Sequence, residues 1–371
     1  MANLSLIMLA AGNSTRFDTG VKKQFLRLGD DPLWLYATRN LSTFYPFKKI
    51  VVTSSNTSYM KKIARNYEFI EGGATRAESL KKALEIIDSE FVMVSDVARV
   101  LVSKSLFDRL IENLDKADCI TPALKVADTT LFENEALQRE KIKLIQTPQI
   151  SRTRLLKQAL NQNLDFTDDS TAISAVGGKI WFVEGEENTR KITFKEDLKK
   201  LDLPRPSNEI FCGNGFDVHE FGEERPLLLG GVEIHPTMGL KAHSDGDVLA
   251  HSLTDAILGA ACLGDIGELF PDTDEKFKNA NSMNLLKEAY KRVKEFGFEL
   301  VNIDICVMAQ TPKLKDFKEA IAQNIANTLN IDEFRVNIKA TTTEKLGFIG
   351  RKEGMAVLAS ANLKYFDWTK I

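Results

Sequence analysis

The run Leu203-Pro204-Arg205-Pro206-Ser207 constrains this chain more than any other feature. Its two prolines remove backbone donors and bias Leu203 and Arg205 away from helix, so no helix or central strand runs through this point. A length of 371 residues is also too great for one ordinary core, since domains cluster near ~100 to 150 residues. The break therefore predicts two domains, residues 1–209 and 210–371, with the boundary near Ile210.

The first half alternates short apolar runs with amphipathic segments. Ser5 to Leu9, Ile50 to Thr53 and Phe91 to Ser95 read as strands and Arg76 to Asp88 as a helix, which predicts a wound α/β sheet. Between Val126 and Gln146 the pattern weakens into polar, β-like segments that suit an arm leaving the core. An arm implies a partner subunit, although a plain surface loop fits the same pattern. In the second half, SDGDVLAHSLTDAILGAACLG is helical with Ser244 expected as its N-cap. Val301 to Ala309 alternates as a strand with Val301, Ile303, Ile305 and Val307 facing one way. A following helix and a late strand near Gly354 to Leu363 complete a second α/β unit. No internal repeat or low-complexity tract is present.

Composition excludes several functions. The chain is 43% apolar and 27% charged with a net charge of −3, so it is a soluble globular protein with no global attraction to nucleic acid. Any anion must be held locally. The four cysteines, Cys119, Cys212, Cys262 and Cys306, form no CxxC pair, which argues against a disulfide framework or a zinc-thiolate site and fits a reducing cytoplasm. The opening MANLSLIMLAAG has no cationic n-region, and Asn13 to Arg16 cut its apolar run short of a signal or a membrane span.

All four histidines, His219, His235, His243 and His251, fall in one short stretch. Asp217 and His219, two apart in a strand, project to the same side, and His251 opens toward them from the helix. Two nitrogens and one oxygen make a metal site with an open position, as a catalytic zinc requires. A lone histidine on a helix is more often structural, but the clustering reverses that reading. His235, followed by Pro236, is read as a surface residue. Asp247, His251 and Asp255 share a helix face, so Asp255 is expected to orient His251. Ala340-Thr341-Thr342-Thr343-Glu344-Lys345-Leu346-Gly347-Phe348 offers hydroxyls, backbone N–H groups and one carboxylate, a set that can hold phosphate oxygens and a second divalent ion.

GFDVH (Gly215 to His219), AHSDGDV (Ala242 to Val248), His251-Ser252-Leu253-Thr254-Asp255-Ala256, GDIGELFPDTD (Gly264 to Asp274) and ATTTEKLGF together resemble 2-C-methyl-D-erythritol 2,4-cyclodiphosphate synthase over nearly all of residues 210 to 371. The resemblance implies an α/β domain that trimerises, with active sites between subunits. It implies Zn2+, or Mn2+, at Asp217, His219 and His251, and Mg2+ held against the diphosphate by Glu344. His243 and Thr342 would assist the transition state. Asp265, Gly267, Phe270, Asp272 and Asp274 would line the methylerythritol pocket, and Ala309, Pro312 and Lys313 the cytidine pocket. Ser244, Thr341, Phe348 and Arg351 would be further substrate contacts. The implied reaction closes a ring: the 2-phosphate of diphosphocytidyl-methylerythritol 2-phosphate attacks its own diphosphate and CMP leaves.

At the other end, the strand Ser5 to Leu9 leads into Ala10-Ala11-Gly12-Asn13-Ser14-Thr15-Arg16-Phe17, which is neither a GxGxxG fingerprint nor a Walker loop. Small residues let backbone N–H groups approach a phosphate, and Arg16 and Lys23 would add positive charge over a triphosphate. An ordinary turn with surface bases fits the loop equally well. The order AAGxSxRF and Lys23-Gln24-Phe25-Leu26 resembles the sugar-nucleotide nucleotidyltransferases. Glu71-Gly72-Gly73-Ala74-Thr75-Arg76-Ala77-Glu78-Ser79, Asp128-Thr129, Thr147-Pro148-Gln149, Thr167-Asp168-Asp169-Ser170 and Arg190-Lys191-Ile192-Thr193 narrow this to a resemblance to 2-C-methyl-D-erythritol 4-phosphate cytidylyltransferase over residues 1 to about 205.

That resemblance implies a Rossmann-like nucleotidyltransferase domain whose β-arm reaches into the partner of a dimer. Arg16 and Lys23 would stabilise the transition state; Arg139 and Lys191 would position the 4-phosphate of methylerythritol phosphate, with Thr129 and Thr147 nearby. Ala10, Ala11, Gly12, Gly72, Arg76, Ser79, Asp96 and Arg99 would contact CTP and its Mg2+. The family usually reads HDAARP where this chain has Ser95-Asp96-Val97-Ala98-Arg99-Val100, and Ala74 stands where it has an acidic residue. A first half kept only for dimerisation or nucleotide sensing is the rival these changes permit; another is a sugar-phosphate nucleotidyltransferase joined to a generic metallohydrolase. Dimerising arms and a trimerising core would combine into a hexamer. A kinase must act between the two implied reactions, and no kinase-type loop is left over; loose association with that separate kinase is expected at most.

Overall fold

The computed structural model describes residues 2–162, 166–271, 273–277 and 280–371, with Glu223 described in its backbone only. Asp272, expected in the methylerythritol pocket, lies outside the described residues. Two compact units form, Met1–Arg205 with Thr369–Ile371, and Pro206–Trp368.

In the first unit, β1 (Leu4–Leu9), β2 (Ile50–Ser54), β3 (Glu68–Glu71) and β4 (Phe91–Asp96) run parallel in the spatial order β4-β1-β2-β3. LSLIML in β1 is buried almost throughout, as a parallel strand covered on both faces requires. β5 (Cys119–Lys125), β6 (Lys143–Ile145), β7 (Gln149–Arg152) and β8 (Ile180–Glu184) extend this to an eight-stranded sheet among the described residues, with β7 antiparallel to both β4 and β5. The chain passes from β1 to β2 on one side and later fills β4 on the other, so strand order reverses at β1. The crevice beyond the carboxyl ends of such strands is where α/β sheets bind ligands. Helix α1 (Arg76–Glu85) is capped by Thr75, whose hydroxyl accepts from the Glu78 N–H at 3.1 Å. It ends three residues before the expected Asp88, because Ile87 turns down into the core.

Within the Val126–Gln146 segment, Leu131–Phe132 pairs with Glu135–Ala136 around Glu133 and Asn134, at φ 49° and 71°. Positive φ at both central residues is what a two-residue hairpin turn needs. Leu131 and Phe132 are 58% and 64% exposed, so the hairpin tip leaves apolar side chains unburied by its own chain.

The second unit contains β9 (Ile210–Glu223), β10 (Gly239–Leu240), β11 (Phe298–Met308), β12 (Val336–Thr341) and β13 (Gly354–Tyr365) in the order β10-β9-β13-β11-β12, with only β11 and β12 parallel. Ile303, Ile305 and Val307 face the core as expected, but Val301 does not; the register shifts between Leu300 and Asn302, and this bulge hands the inward position to Leu300.

Helix α2 (Val248–Ala260) lies against β9 and β13. Two glycines permit this. A Cβ on Gly213 would stand 2.1 Å from the Ala256 carbonyl oxygen, and one on Gly215 only 1.9 Å from that of Ser252. The N-cap of α2 is Asp247, not Ser244: its carboxylate accepts from Ala250 N–H at 2.9 Å and from Gly230 and Gly231 N–H at 2.9 and 2.6 Å. A carboxylate that also ties down a neighbouring loop outcompetes a hydroxyl three residues earlier. Helices α3 (Ser282–Glu295) and α4 (Lys318–Leu329) complete the unit.

Candidate active sites

In the first unit a cleft of ≈ 450 Å³ opens at the carboxyl ends of β1 and β4. Ala10, Ala11, Gly12 and Arg16 line it together with Lys23, Gly72, Arg76, Ser79, Asp96 and Lys191. The glycine-rich segment reaches the loop because Gly72 has no Cβ; one would lie 2.2 Å from the Ala11 Cβ. Gln24 fixes the loop from below, its side-chain amide donating to the Gly12 carbonyl at 3.0 Å, while Ser14 Oγ accepts from Lys23 N–H at 2.9 Å. The Lys-Gln pair thus has two separate tasks: Gln24 holds the loop's shape and Lys23 supplies charge.

Charges in this cleft are graded. Arg76 donates to Asp96 Oδ1 at 3.4 Å and to Asp169 Oδ1 at 3.0 Å, and Lys191 Nζ reaches Asp96 Oδ2 at 2.6 Å. Burial opposes ionisation of Asp96, but the Arg76 guanidinium and the Lys191 ammonium outweigh it and hold the carboxyl at about 2. Asp169 is fully buried with no hydrogen bond to Oδ2, and burial pushes it up to about 6. Burial, reinforced by neighbouring Lys191 and Arg16, brings Lys23 down to about 8. Thr167-Asp168-Asp169-Ser170 carries part of the family resemblance, but nothing in the sequence pairs Asp169 with Arg76; that contact needs the fold.

Other residues expected here lie elsewhere in the chain. Arg99 donates to the carbonyls of Thr189 and Ile145 at 2.8 and 3.3 Å, and Thr147 Oγ1 accepts from Asp96 N–H at 3.2 Å. Both support the cleft without lining it. Thr129 and Arg139 are exposed on the arm, where Arg139 donates to Ala127 O at 2.9 Å. The departures from the family pattern are visible: Val97 lines the cleft, Val100 is buried, and Ser95 is buried with its hydroxyl unpaired.

In the second unit, Asp217 and His219 project from the same face of β9, and α2 brings His251 over them. His219 Nε2 lies 3.1 Å from Asp217 Oδ2, and His251 Nδ1 3.3 Å from the same oxygen. One ligand atom from each residue lies within 4.8 Å of the others. Ligands ~2.1 Å from a tetrahedral ion would be about 3.4 Å apart, so the donor set fits a divalent cation. The carboxyl of Asp217 is half-buried, which opposes ionisation, yet its contacts with His219 and His251 hold it well below the usual range.

Asp255 does not orient His251; its Oδ1 accepts from Ile266 N–H at 2.8 Å, because the chain after α2 folds back over it. The groups that do touch the far ring nitrogen, Nε2, are Ser244 Oγ at 3.1 Å and Ser282 Oγ at 2.9 Å. Ser282 comes from α3 and carries no sequence signal.

His243 is exposed in the loop that precedes α2. Asp265 caps a short helix through Glu268 N–H at 2.8 Å, Gly267 is within that helix, Phe270 packs edge-on against Phe277 with centroids 5.3 Å apart, and Asp274 accepts from Lys276 N–H. Ala309, Pro312 and Lys313 follow β11, and Thr341 ends β12. Thr342 Oγ1 donates to Glu344 Oε1 at 3.0 Å, and Glu344 and Lys345 hold left-handed φ of 51° and 68°. Phe348 is partly exposed, and Arg351 makes a two-pronged pair with Glu353 at 2.7 and 3.0 Å. Pairing sets Val218, Ala356, Met308 and Thr341 in one row across four strands. At ~4.8 Å per strand, the triad and the threonine run lie at the same end of the strands, about 14 Å apart across the sheet. One chain therefore presents the two parts on strands separated by two others, along one end of the sheet.

Taken together, fold and sites define a two-domain phosphate-transfer enzyme, a nucleotidyltransferase followed by an α/β domain with an Asp-His-His cation site. The profile of 2-C-methyl-D-erythritol 4-phosphate cytidylyltransferase matches residues 4–203, and that of the YgbB family residues 210–364. The chain belongs to the bifunctional IspD/IspF family. It is 85% identical over its full length to the bifunctional enzyme IspD/IspF of Campylobacter jejuni subsp. doylei and 70% to that of Campylobacter lari, with both chains wholly covered in each case. The solved structure of the bifunctional IspDF from Campylobacter jejuni superposes with a TM-score of 0.96 at 85% identity, covering 99% of this chain and all of the other. It is accordingly a cytidylyltransferase and a cyclodiphosphate synthase of isoprenoid-precursor biosynthesis in one polypeptide.

Proposed function

We propose how the residues divide the work. In the first domain the 4-phosphate of methylerythritol phosphate attacks the α-phosphorus of CTP; a P–O bond forms and the bond to pyrophosphate breaks. The Ala10–Gly12 backbone and Arg16 receive the triphosphate, and Lys23 meets the negative charge that builds at phosphorus. Lys191, held by Asp96, positions the incoming phosphate, while Arg139 and Thr129 do so from the arm of a second copy. Mg2+ would neutralise the nucleotide phosphates in both domains. The support for this reading is the cleft that gathers Arg16, Lys23, Asp96 and Lys191 at the strand-order reversal.

In the second domain the 2-phosphate attacks the phosphorus attached to the methylerythritol oxygen, and CMP departs. Asp217, His219 and His251 would hold Zn2+ or Mn2+, and Glu344 the Mg2+; bound there, they lower the repulsion between the two phosphates. The chain's own task is to bring nucleophile and electrophile together. His243 and Thr342 steady the transferring group, Asp265, Gly267 and the Phe270–Asp274 segment enclose the methylerythritol part, and Ala309, Pro312 and Lys313 hold cytidine. The single observation carrying this reading is the triad, three ligand atoms mutually within 4.8 Å. The separation of the triad from the Thr341–Glu344 run, three strands away across the same end of the sheet, supports a site completed by a neighbouring copy in a trimer.

A cytoplasmic hexamer, trimeric through the second domain and dimeric through the arms, unites both contacts. The intervening kinase acts from outside, at most loosely associated; failure to co-sediment at micromolar concentrations would remove even that. The reaction assignment is tested by phosphorus NMR, first with CTP and methylerythritol phosphate, then with the separately made cyclisation substrate. Pyrophosphate should appear in the first case and CMP with a cyclic diphosphate in the second.

A further inference from the structure

We infer that Ser282, oriented by Asp245, is the positioning residue that fixes which nitrogen of His251 faces the cation. This rests on the reading of Asp217, His219 and His251 as a divalent-cation site. Ser282 Oγ donates to Asp245 Oδ1 at 2.5 Å, and the Ser282 N–H donates to Asp245 Oδ2 at 3.0 Å. With its only proton committed to a carboxylate, the hydroxyl can offer His251 Nε2 nothing but a lone pair, across 2.9 Å. Nε2 must then carry the hydrogen, and Nδ1, the nitrogen 3.3 Å from Asp217 Oδ2, keeps its lone pair for an ion. Ser244 Oγ lies 3.1 Å from the same nitrogen and accepts from Gly246 N–H at 3.2 Å; it keeps a lone pair free, so it is compatible with the Nε2–H that Ser282 dictates.

The arrangement ties one ligand to a second helix. His251 lies in α2, Ser282 opens α3, and Asp245 lies in the loop before α2, where it also accepts from Asp247 N–H at 3.3 Å. The ring is thereby held at Nε2 by a residue of another helix. A ligating histidine whose other nitrogen loses its partner typically binds metal 10 to 100-fold more weakly.

The test uses the full chain stripped of metal and titrated with zinc against a chelating indicator, alongside 15N NMR of the zinc-loaded protein. Ser282→Ala removes the hydroxyl but keeps the backbone bond to Asp245; zinc affinity should fall by about tenfold or more, and the Nε2 proton should exchange rapidly with solvent. Ser282→Thr should restore both. Asp245→Asn, which lets the hydroxyl turn its proton toward Nε2, should weaken zinc binding even where Ser282→Ala is poorly folded. Parent and Ser282→Ala proteins binding zinc within twofold of each other would overturn the proposal. So would weaker binding with an unchanged, slowly exchanging Nε2 proton, the mark of a merely structural role. A parent that takes up no zinc overturns the cation reading and the proposal with it.

Discussion

Lys23 and Asp169 show how much a single residue's chemistry depends on its surroundings. Lys23 is brought down to about 8 by burial and by Lys191 and Arg16, so the free enzyme loses this charge just above neutrality. The kcat/KM for cytidylyl transfer should therefore fall above about pH 8, approaching tenfold per pH unit; pyrophosphate release assayed from pH 6.5 to 9.5 checks it, and a flat profile would remove Lys23 from the chemistry. Asp169 is pushed up to about 6 from 3.8. Its contribution to stability is then fully present below about 3.8 and lost as pH rises through 6. At neutral pH its ionised carboxylate still shares Arg76 with Asp96. Asp169→Ala removes one of the two carboxylates on the partly buried Arg76 guanidinium and should cost about 1–3 kcal/mol, read as a lower urea midpoint.

At the scale of elements, the second site is made by one close approach, α2 on β9. Gly215→Ala would place a Cβ 1.9 Å from the Ser252 carbonyl oxygen, a backbone atom that cannot move without its helix. The expected cost is about 1–3 kcal/mol, with a lower Tm. Because His251 lies one residue before Ser252, the same change should also weaken zinc binding. Normal zinc affinity in a Gly215→Ala protein would show that helix and triad are not coupled through this contact. The Ser252 hydroxyl secures the seam by donating its one proton to Gly215 O at 2.8 Å, with Val357 O at 3.2 Å as the alternative or shared acceptor.

For the whole molecule, the two activities sit in separate compact units, so each should be removable alone. His251→Ala should abolish cyclisation while sparing cytidylyl transfer, and Arg16→Ala should do the reverse; assaying both reactions on both proteins tests the division. Assembly is the other property at this scale. The proposed assembly would cover the exposed Leu131 and Phe132 of the arm with a further copy of the chain. The proposed hexamer predicts a solution mass six times 41.5 kDa, and a mass that is not a multiple of three chains would rule out the proposed trimer.

The sequence by itself determined the main strands, the break between the domains and the donor chemistry, because these depend on neighbours a few positions away. Asp217 and His219 share a face by strand alternation, the Ala10–Gly12 loop follows a buried run, and the long motifs carry the family. Tertiary structure alone decided which distant groups meet. Ser282 rather than Asp255 touches His251, Asp247 rather than Ser244 caps its helix, Asp169 backs Arg76, and Val301 is displaced by a bulge. Each was settled by packing between segments far apart in the chain, where hydrogen-bond partners and burial compete and local pattern leaves no trace.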